Sequence, residues 1–265
     1  MEIKYIKKNN IDSGTALITG ASSGIGEAFA EMLAKEGYNL VLVARNIDKL
    51  NSLSSSLSEK YGIKAYVYGQ DLSESNAVSN IHKFTQEKEI TIDLLINNAG
   101  HGDVGGFIDH SMAEHNAMIS SMLTALVELT HVYLPDMVAR KDGAIINVAS
   151  VVGLMGTSLN MMVKRSLYRP IKSFVIAFTE QLDVAYRSTG VRFQCLCPGL
   201  TISDFHKRVG QEDLYDKLPS FMWLTSEEVA RRSLIGLRKK KKLVFVTGFI
   251  NKLGIFFHRL CSLFS

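Results

Sequence analysis

Cysteine is scarce in this chain, whose 265 residues include three, Cys195, Cys197 and Cys261. A small, odd number of cysteines argues against a scaffold held by disulfides and favours a reducing compartment. The stretch Met1–Gly14 is polar and lacks the apolar run of a secretory signal. We also expect no membrane-spanning helix. These absences together predict a cytoplasmic protein.

The chain also lacks a large excess of either charge, because it has 30 Lys and Arg and 26 Asp and Glu, which give a net charge of +4. The basic residues are scattered except for one run, 238–242, so we expect no nucleic acid as a partner. Internal repeats, low-complexity segments and linkers are absent as well. We therefore predict a single domain over residues 1–265, in which 239–265 form the last strand and an apolar, basic C-terminal extension.

Short apolar runs alternate with longer amphipathic stretches along most of the chain. The runs are rich in Val, Ile and Leu, as expected for strands buried on both faces, and they occupy 15–19, 39–44, 64–68, 92–96, 144–148, 191–196 and 243–246. Helical patterns lie between them, for example at 25–36, which Gly37 can end, and at 173–188. This alternation predicts an α/β fold with a doubly wound parallel sheet flanked by helices.

A glycine-rich turn follows the first predicted strand directly and leads into the first predicted helix. Glycines let the backbone approach a pyrophosphate, and a helix N-terminus offers free N–H groups and the positive end of its dipole. The alternative is an ordinary strand-to-helix turn. The turn predicts a nucleotide site made by Gly20, Ser22, Ser23, Gly24, Ile25 and Gly26.

Polar residues stand just beyond two further predicted strands. Asp71, followed by Leu72, comes after the third strand, and Asn98 comes after the fourth. Ligands of an open α/β sheet bind at this edge, so all three residues are assigned to the cofactor site. Capping or turn formation is the alternative role for Asp71 and Asn98.

The end of the second strand indicates which cofactor is preferred. An acidic residue at Ala44 would bond the ribose 2′-hydroxyl and favour NAD(H). Instead Arg45 follows, and a guanidinium suits a 2′-phosphate through bidentate hydrogen bonds. The sequence therefore predicts NADP(H) over NAD(H), with a plain surface arginine as the alternative.

The segment from about Thr15 to Gly248 resembles the short-chain dehydrogenase/reductase family. The resemblance rests on the glycine-rich turn, on Asn97-Asn98-Ala99-Gly100, Ser150, Tyr168-Arg169-Pro170-Ile171-Lys172, and on Pro198-Gly199. It implies a Rossmann-type sheet of about seven strands and a nicotinamide cofactor. It also places Lys172, Pro198, Gly199 and Thr201 among the cofactor-binding residues.

The same resemblance implies that Ser150, Tyr168 and Lys172 are catalytic. Tyr168 would exchange a proton with the substrate oxygen, and Ser150 would hydrogen-bond that oxygen. Lys172 lies one helical turn beyond the tyrosine, and its ammonium would lower the tyrosine pKa. The implied reaction interconverts a carbonyl and a secondary alcohol of a hydrophobic substrate. The alternative is a catalytically weak or silent NADP(H)-binding scaffold.

Two departures from the family pattern favour that alternative. The serine precedes the tyrosine by 18 residues, 168 minus 150, rather than about 13, so about five extra residues are expected within 156–167, beside the substrate. The family also carries an asparagine that helps to hold a water linking the lysine to solvent. Its position falls here on Met122, whose thioether is a poor acceptor and no donor. Asn116 should face another way.

Other features have mainly structural interpretations. Cys195 and Cys197 should face one side of a strand as small buried hydrophobes. His110 and His115 should not share a helical face, and we expect no metal site. Residues 200–224 should cover the substrate; their large side chains are Phe205, Tyr215, Phe221, Met222 and Trp223.

The C-terminal segment carries apolar residues at helical spacing, with Lys252 and Arg259 between them. These residues fit either core packing or a contact within a homodimer or homotetramer. A peripheral contact with an anionic membrane surface is the alternative, because basic residues beside an apolar helical face attract anionic lipid.

Overall fold

The computed structural model describes residues 14–102, 105–155, 167–203, 214–239, 242–248 and 250–255. Its strands are β1 (Thr15–Thr19), β2 (Asn39–Ala44), β3 (Ala65–Gly69), β4 (Leu94–Asn97), β5 (Ala144–Val148), β6 (Arg192–Cys197), β7 (Thr201–Ile202), β8 (Leu224–Thr225) and β9 (Val244–Val246). Its α-helices are α1 (Gly24–Lys35), α2 (Ile47–Tyr61), α3 (Ala77–Glu87), α4 (Met112–Ile119), α5 (Ala125–Arg140), α6 (Tyr168–Tyr186), α7 (Leu214–Lys217) and α8 (Ser226–Arg238).

Seven strands form one parallel sheet in the order β3-β2-β1-β4-β5-β6-β9. The α/β, doubly wound architecture predicted from the alternating pattern is confirmed. Each of the seven predicted runs corresponds to one of these strands, with its bounds shifted by no more than two residues. The short strands β7 and β8 pair in parallel beyond β6 as a separate two-stranded unit.

Helices cover both faces of the sheet, which explains why its strands are apolar on both sides. On one face Ile18 of β1 shares a core with Phe29 of α1 and with residues of α2 and α8. On the other face Leu17 shares a core with Leu129 of α5 and with residues of α3 and α6. Gly37 has φ +88 directly after α1. This left-handed residue ends the helix as predicted.

The helix that joins β4 to β5 contains a π-helical turn. Between α4 and α5, Ser120–Thr124 are π-helical, and the Ala125 N–H bonds the carbonyl oxygen of Ser120. The whole helix, Met112–Arg140, is the one helix of the described residues that is long and apolar enough to cross a membrane. However, Leu129, Leu134 and Met137 pack against the sheet, as in a core helix. Asn116 is exposed, whereas Met122 is buried.

The strand order reverses between β1 and β4, and this reversal opens a crevice at the carboxyl ends of the strands. Most predicted site residues follow a strand at this edge. Gly20 follows β1, Arg45 follows β2, Asn98 follows β4, Ser150 follows β5 and Pro198 follows β6. The fold thus brings together residues that are far apart in the sequence.

Candidate active site

The glycine-rich turn is folded tightly enough that its glycines are required. Gly20 has φ +65 and Gly24 has φ +61, in the left-handed region that favours glycine. A Cβ atom on Gly26 would collide with the carbonyl oxygen of Gly20. Helix α1 begins at Gly24, with Ser23 as its N-cap. A backbone this bare at a helix N-terminus fits the pyrophosphate of a dinucleotide cofactor.

Thr19 and Asn98 connect this turn to the end of β4. The Thr19 Oγ1 atom accepts hydrogen bonds from the backbone N–H groups of Asn98 and Ala99, both at 3.0 Å. In return Asn98 Nδ2 donates to the carbonyl oxygens of Thr19 at 2.9 Å and Gly20 at 3.3 Å. The side chain of Asn98 therefore fixes the glycine-rich turn against the end of β4.

Arg45 and Asp71 stand together beyond β2 and β3. The Arg45 Nη1 and Asp71 Oδ2 atoms are 3.7 Å apart, and 71% of the arginine side chain is exposed. Burial opposes ionisation of Asp71, but hydrogen bonds from Ser73 and the charge of Arg45 outweigh it and hold the pKa of Asp71 below its ordinary value. The guanidinium is therefore held at the rim while most of it faces solvent. Leu72 is buried in the core beside them.

Ser150 is positioned by a turn that packs closely on α6. It caps the 3₁₀ turn Val151–Leu154, and its Oγ accepts from the Val152 N–H at 3.3 Å. A Cβ atom on Gly153 would lie 2.8 Å from the backbone of Lys172. The Ser173 hydroxyl also donates to the Gly153 carbonyl oxygen at 3.0 Å. The serine is thereby fixed against the helix that carries the predicted tyrosine and lysine.

Tyr168 and Lys172 lie on one face of α6, as their spacing predicts. The helix begins at Tyr168, so Pro170 falls in its first turn, where proline is tolerated. Lys172 Nζ lies 5.7 Å from the centroid of the Tyr168 ring. It also donates to the Val148 carbonyl oxygen at 2.8 Å. Through these two contacts Lys172 brings together Tyr168 and the end of β5.

Burial dominates the electrostatics of Lys172, whose exposure is 5%. Desolvation lowers its pKa to about 8, although the nearby Cys195 and Cys197 act in the opposite direction. The two cysteines are fully buried and face the same side of β6, as predicted, with their Sγ atoms 3.9 Å apart. Their hydrogen bond and their burial raise the pKa of the Cys197 thiol. Burial thus brings the pKa of Lys172 close to neutral pH, although the amine is still mostly protonated at pH 7.

Met122 lies beside Lys172 on the π-helical turn. Both residues line a small cavity of about 10 Å³, room for about one water molecule. Its apolar lining consists of Leu72, Ala99, Met122, Leu126, Leu129 and Val148, and its polar lining of Thr19, Asn97, Ser121 and Lys172. Met122 also packs with Tyr168 in an apolar cluster. Met122 therefore occupies a wall of the candidate active site.

The segment after β6 is held by both the Ser150 turn and the C-terminal segment. The Pro198 carbonyl oxygen accepts from the Val151 N–H at 2.9 Å. A Cβ atom on Gly199 would collide with the side chain of Asn251. The Thr201 hydroxyl donates to the Gly199 carbonyl oxygen at 3.0 Å. Glycine at 199 thus has a packing reason in addition to its predicted place in the cofactor site.

The aromatic residues expected to cover the substrate divide into two groups. The rings of Tyr215 and Trp223 are 4.5 Å apart, and the Tyr215 hydroxyl bonds the backbone of Ser203, so both help to build this region. Phe221 is 70% exposed. Residues 204–213, with Phe205, lie outside the described part of the chain, as do 156–166, where the extra residues before Tyr168 were predicted.

The two histidines share no helical face, as predicted, although their rings approach one another. Their ring centroids are 5.8 Å apart. His110 precedes α4 rather than belonging to it, so helical spacing does not apply. His115 stacks on Phe107, and its Nε2 atom bonds the Phe107 carbonyl oxygen. Within the described ranges, three or more His, Cys, Asp or Glu residues nowhere gather as a metal site would require.

Comparison with known proteins identifies the class of protein that this fold and site define. The model of the family described as short chain dehydrogenase matches residues 14–214. The chain therefore belongs to the short-chain dehydrogenases, a family of oxidoreductases with this Rossmann-type sheet.

Individual relatives agree with that assignment. The oxidoreductase UcpA of Salmonella typhimurium is 30% identical over 220 residues, which are 83% of this chain and 81% of UcpA. A short-chain dehydrogenase from Sphingobium yanoikuyae, solved in complex with NADPH, has a TM-score of 0.80 and 29% identity, covering 95% of both chains. A bulky-bulky ketone specific alcohol dehydrogenase from Comamonas testosteroni has a TM-score of 0.77 and 28% identity, covering 95% of this chain and 94% of that one.

Sequence reasoning missed two features of the site. One is the π-helical turn, which brings Met122 to the cavity. The other is Asn97, which was quoted as part of a motif but given no role, although it lines the same cavity. The signal for Asn97 was a polar residue at the end of an apolar strand. For the π-helical turn, the sequence offers no signal that we can identify.

Proposed function

We propose that the protein is an NADP(H)-dependent oxidoreductase that interconverts a carbonyl and a secondary alcohol on a hydrophobic substrate. The observation that carries the proposal is Lys172, which is buried, lies beside Tyr168, and sits on a helix to which the Ser150 turn is fixed. Burying a lysine in the core is expensive and needs a reason. Positioning a proton-donating tyrosine supplies that reason.

Each of the three residues has a distinct task in this proposal. When bound, the nicotinamide supplies or accepts the hydride. The Ser150 hydroxyl binds and orients the substrate oxygen. The Tyr168 hydroxyl gives its proton to that oxygen in the reduction and takes it back in the oxidation. The positive charge of Lys172 stabilises the phenolate that remains.

Several residues would hold the cofactor. The turn with Gly20, Ser22, Ser23, Gly24, Ile25 and Gly26 would receive the pyrophosphate, and Asp71, Leu72, Asn98, Lys172, Pro198, Gly199 and Thr201 would border the rest. The preference for NADP(H) is proposed from Arg45, whose exposed guanidinium can pair with a 2′-phosphate. The relative from Sphingobium yanoikuyae, solved with NADPH, supports this choice.

The substrate class is proposed from exposed apolar side chains near the same crevice. Ile202 of β7 is 51% exposed and Phe221 is 70% exposed. Both follow the Pro198-Gly199 segment, which lies at the carboxyl end of β6. The ketone specificity stated for the Comamonas testosteroni relative supports a bulky carbonyl compound.

The same protein would be a single domain over residues 1–265 that works in the cytoplasm as a homodimer or homotetramer. We also retain a peripheral membrane contact through the C-terminal extension. Arg238 is not available for it, because this arginine pairs with Glu36 of α1. Ile255 packs in the core, so that contact would fall to residues 256–265, outside the described part.

A weak or silent NADP(H)-binding scaffold is the second candidate, favoured by Met122. Turnover of a panel of ketones with NADPH, together with NADPH binding by fluorescence, separates the two. We expect measurable wild-type turnover that Tyr168→Phe abolishes. Tyr133→Phe, which removes a buried hydroxyl bonded to Thr85 away from the crevice, should keep it. NADPH binding without turnover of any ketone or alcohol would establish the scaffold instead. Full activity in Tyr168→Phe would mean that the tyrosine was wrongly assigned.

A further inference from the structure

Asn97 carries a buried acceptor that none of the described residues satisfies. The residue is 4% exposed, and its Oδ1 atom has no hydrogen-bond partner among the described residues. Its Nδ2 atom donates to Asn147 Oδ1 at 2.9 Å and to Thr130 Oγ1 at 3.4 Å. Buried polar groups without a partner are rare and call for an explanation.

The surrounding hydrogen bonds fix which way the Asn97 amide points. The Thr179 hydroxyl donates to the Val175 carbonyl oxygen, so it accepts from Asn147 Nδ2 at 3.0 Å. Asn147 Oδ1 must then face Asn97, and it can only accept. The Thr130 hydroxyl likewise donates its hydrogen bond to the Leu126 carbonyl oxygen, so it can only accept from Asn97. Both neighbours therefore need the Nδ2 atom, and the Oδ1 atom is left as the free acceptor.

Asn97, which carries this acceptor, borders the cavity that Met122 and Lys172 also line. Asn97 and Lys172 both line it, and its volume of about 10 Å³ suits one water molecule. Such a water needs two or more polar partners. The Asn97 Oδ1 atom supplies an acceptor and the Lys172 ammonium supplies a donor. Met122 offers no donor and only a weak acceptor.

We propose that Asn97 is a positioning residue, which holds a water in this cavity against the ammonium of Lys172. The water donates to Asn97 Oδ1 and accepts from Lys172 Nζ. It thus provides the polar partner that the family obtains from an asparagine at the position of Met122. The kinetic part of this inference rests on the proposed function, whereas the water site itself does not.

The water site is tested by a high-resolution crystal structure of the whole chain. We expect density for a water within hydrogen-bond distance of both Asn97 Oδ1 and Lys172 Nζ, and its loss in Asn97→Leu. Thr130→Val is the matched control, because it removes one partner of Nδ2 and leaves Oδ1 intact. A wild-type cavity without such a water, or a water that remains in Asn97→Leu, overturns the proposal. This arm stands even if no substrate is turned over.

The pH dependence of kcat tests the role. Asn97→Leu and Asn97→Asp both lose the donation to Asn147, but only the aspartate keeps an acceptor toward the cavity. We expect Asn97→Leu to lower kcat about tenfold and to move the limb that reports loss of the Lys172 proton to lower pH. Asn97→Asp should move that limb to higher pH.

A rescue experiment separates this role from a loss of packing. Adding Met122→Asn to Asn97→Leu should restore most of kcat, because the new amide faces the same cavity. Equal losses in both Asn97 variants with no movement of the pH limb would refute the positioning role and leave the proposed function intact. Absence of turnover in the wild type would refute both the proposed function and the kinetic role. If neither Asn97 variant folds, the wild-type crystal structure decides.

Discussion

Replacing Lys172 by methionine should stabilise the protein at neutral pH while it removes activity. The folded protein holds the ammonium of this lysine in an almost fully buried position, where desolvation lowers its pKa from 10.5 to about 8. At 1.36 kcal/mol for each pKa unit, the difference corresponds to about 3 kcal/mol. Below pH 8 the folded state carries this whole cost.

The sign of the pH dependence follows from proton binding. Between pH 8 and 10.5 the unfolded chain still binds the lysine proton after the folded chain has released it. The free energy of unfolding of the wild type therefore rises with pH across this window. At pH 9.5 about 1 kcal/mol of the cost remains. Methionine carries no charge, but it leaves the Val148 carbonyl oxygen without its donor, a loss of about 1 kcal/mol.

The net expectation is a gain of about 2 kcal/mol at pH 7 that falls almost to zero at pH 9.5. Urea unfolding of both proteins at the two pH values measures it. Lys83→Met is the control, because this side chain is 75% exposed and pairs with Glu87 on its own helix. It should change stability by less than about 0.5 kcal/mol. The reasoning would be refuted if Lys172→Met were less stable than the wild type at pH 7, or if the substitution changed the free energy of unfolding equally at both pH values.

Three further predictions concern the cofactor, the chemistry and the C-terminus. NADPH should bind more tightly than NADH in fluorescence titrations, and Arg45→Ala should reduce the difference between their binding free energies by about 1–3 kcal/mol. Equal wild-type affinities for the two cofactors would contradict this prediction. Met122→Asn should raise kcat on ketones several-fold, up to about tenfold, since its amide would add a second partner to the water that Asn97 alone holds beside Lys172; an unchanged kcat would contradict this prediction. Removing residues 256–265 should release the protein from anionic vesicles at low salt; an intact chain that never sediments with them would favour packing.

The sheet was predictable because its strands are buried on both faces and therefore appear as continuous apolar runs. Strand ends were harder, and β4 shows why. The run begins at Ile92, but the Ile92 carbonyl oxygen accepts from Arg140 at 3.0 Å and the strand starts at Leu94. The side chain of Arg140, which is distant in sequence, thus binds the backbone carbonyl of Ile92. No local pattern contains that information.

Helix α6 illustrates the same limit. The apolar pattern starts at Ser173, whereas the helix begins at Tyr168. Its first turn contains Pro170, which contributes no pattern but is compatible with a helix N-terminus. The beginning of this helix is determined by contacts with the Ser150 turn, such as the bond from Arg169 to the Met155 carbonyl oxygen.

The site was predictable where a motif names its residues, and not where the fold assembles them. The sequence predicts Ser150, Tyr168 and Lys172 as site residues, and the structure brings their elements together. The orientation of Asn97 depends on a chain of hydrogen bonds through Asn147 and Thr179, which comes from three separate elements. Only the assembled core shows that the Asn97 Oδ1 atom has no hydrogen-bond partner among the described residues.

Met122 connects the stability of the protein to its chemistry. A thioether beside Lys172 solvates the ammonium less than an amide would, and it offers a water only a weak acceptor. Any polar group that approaches the Nζ atom stabilises the charged form and raises the pKa. A bound cofactor or a water held by Asn97 would both act in that direction. The cost of burying Lys172 is therefore greatest in the empty folded chain, and it decreases as the site is completed.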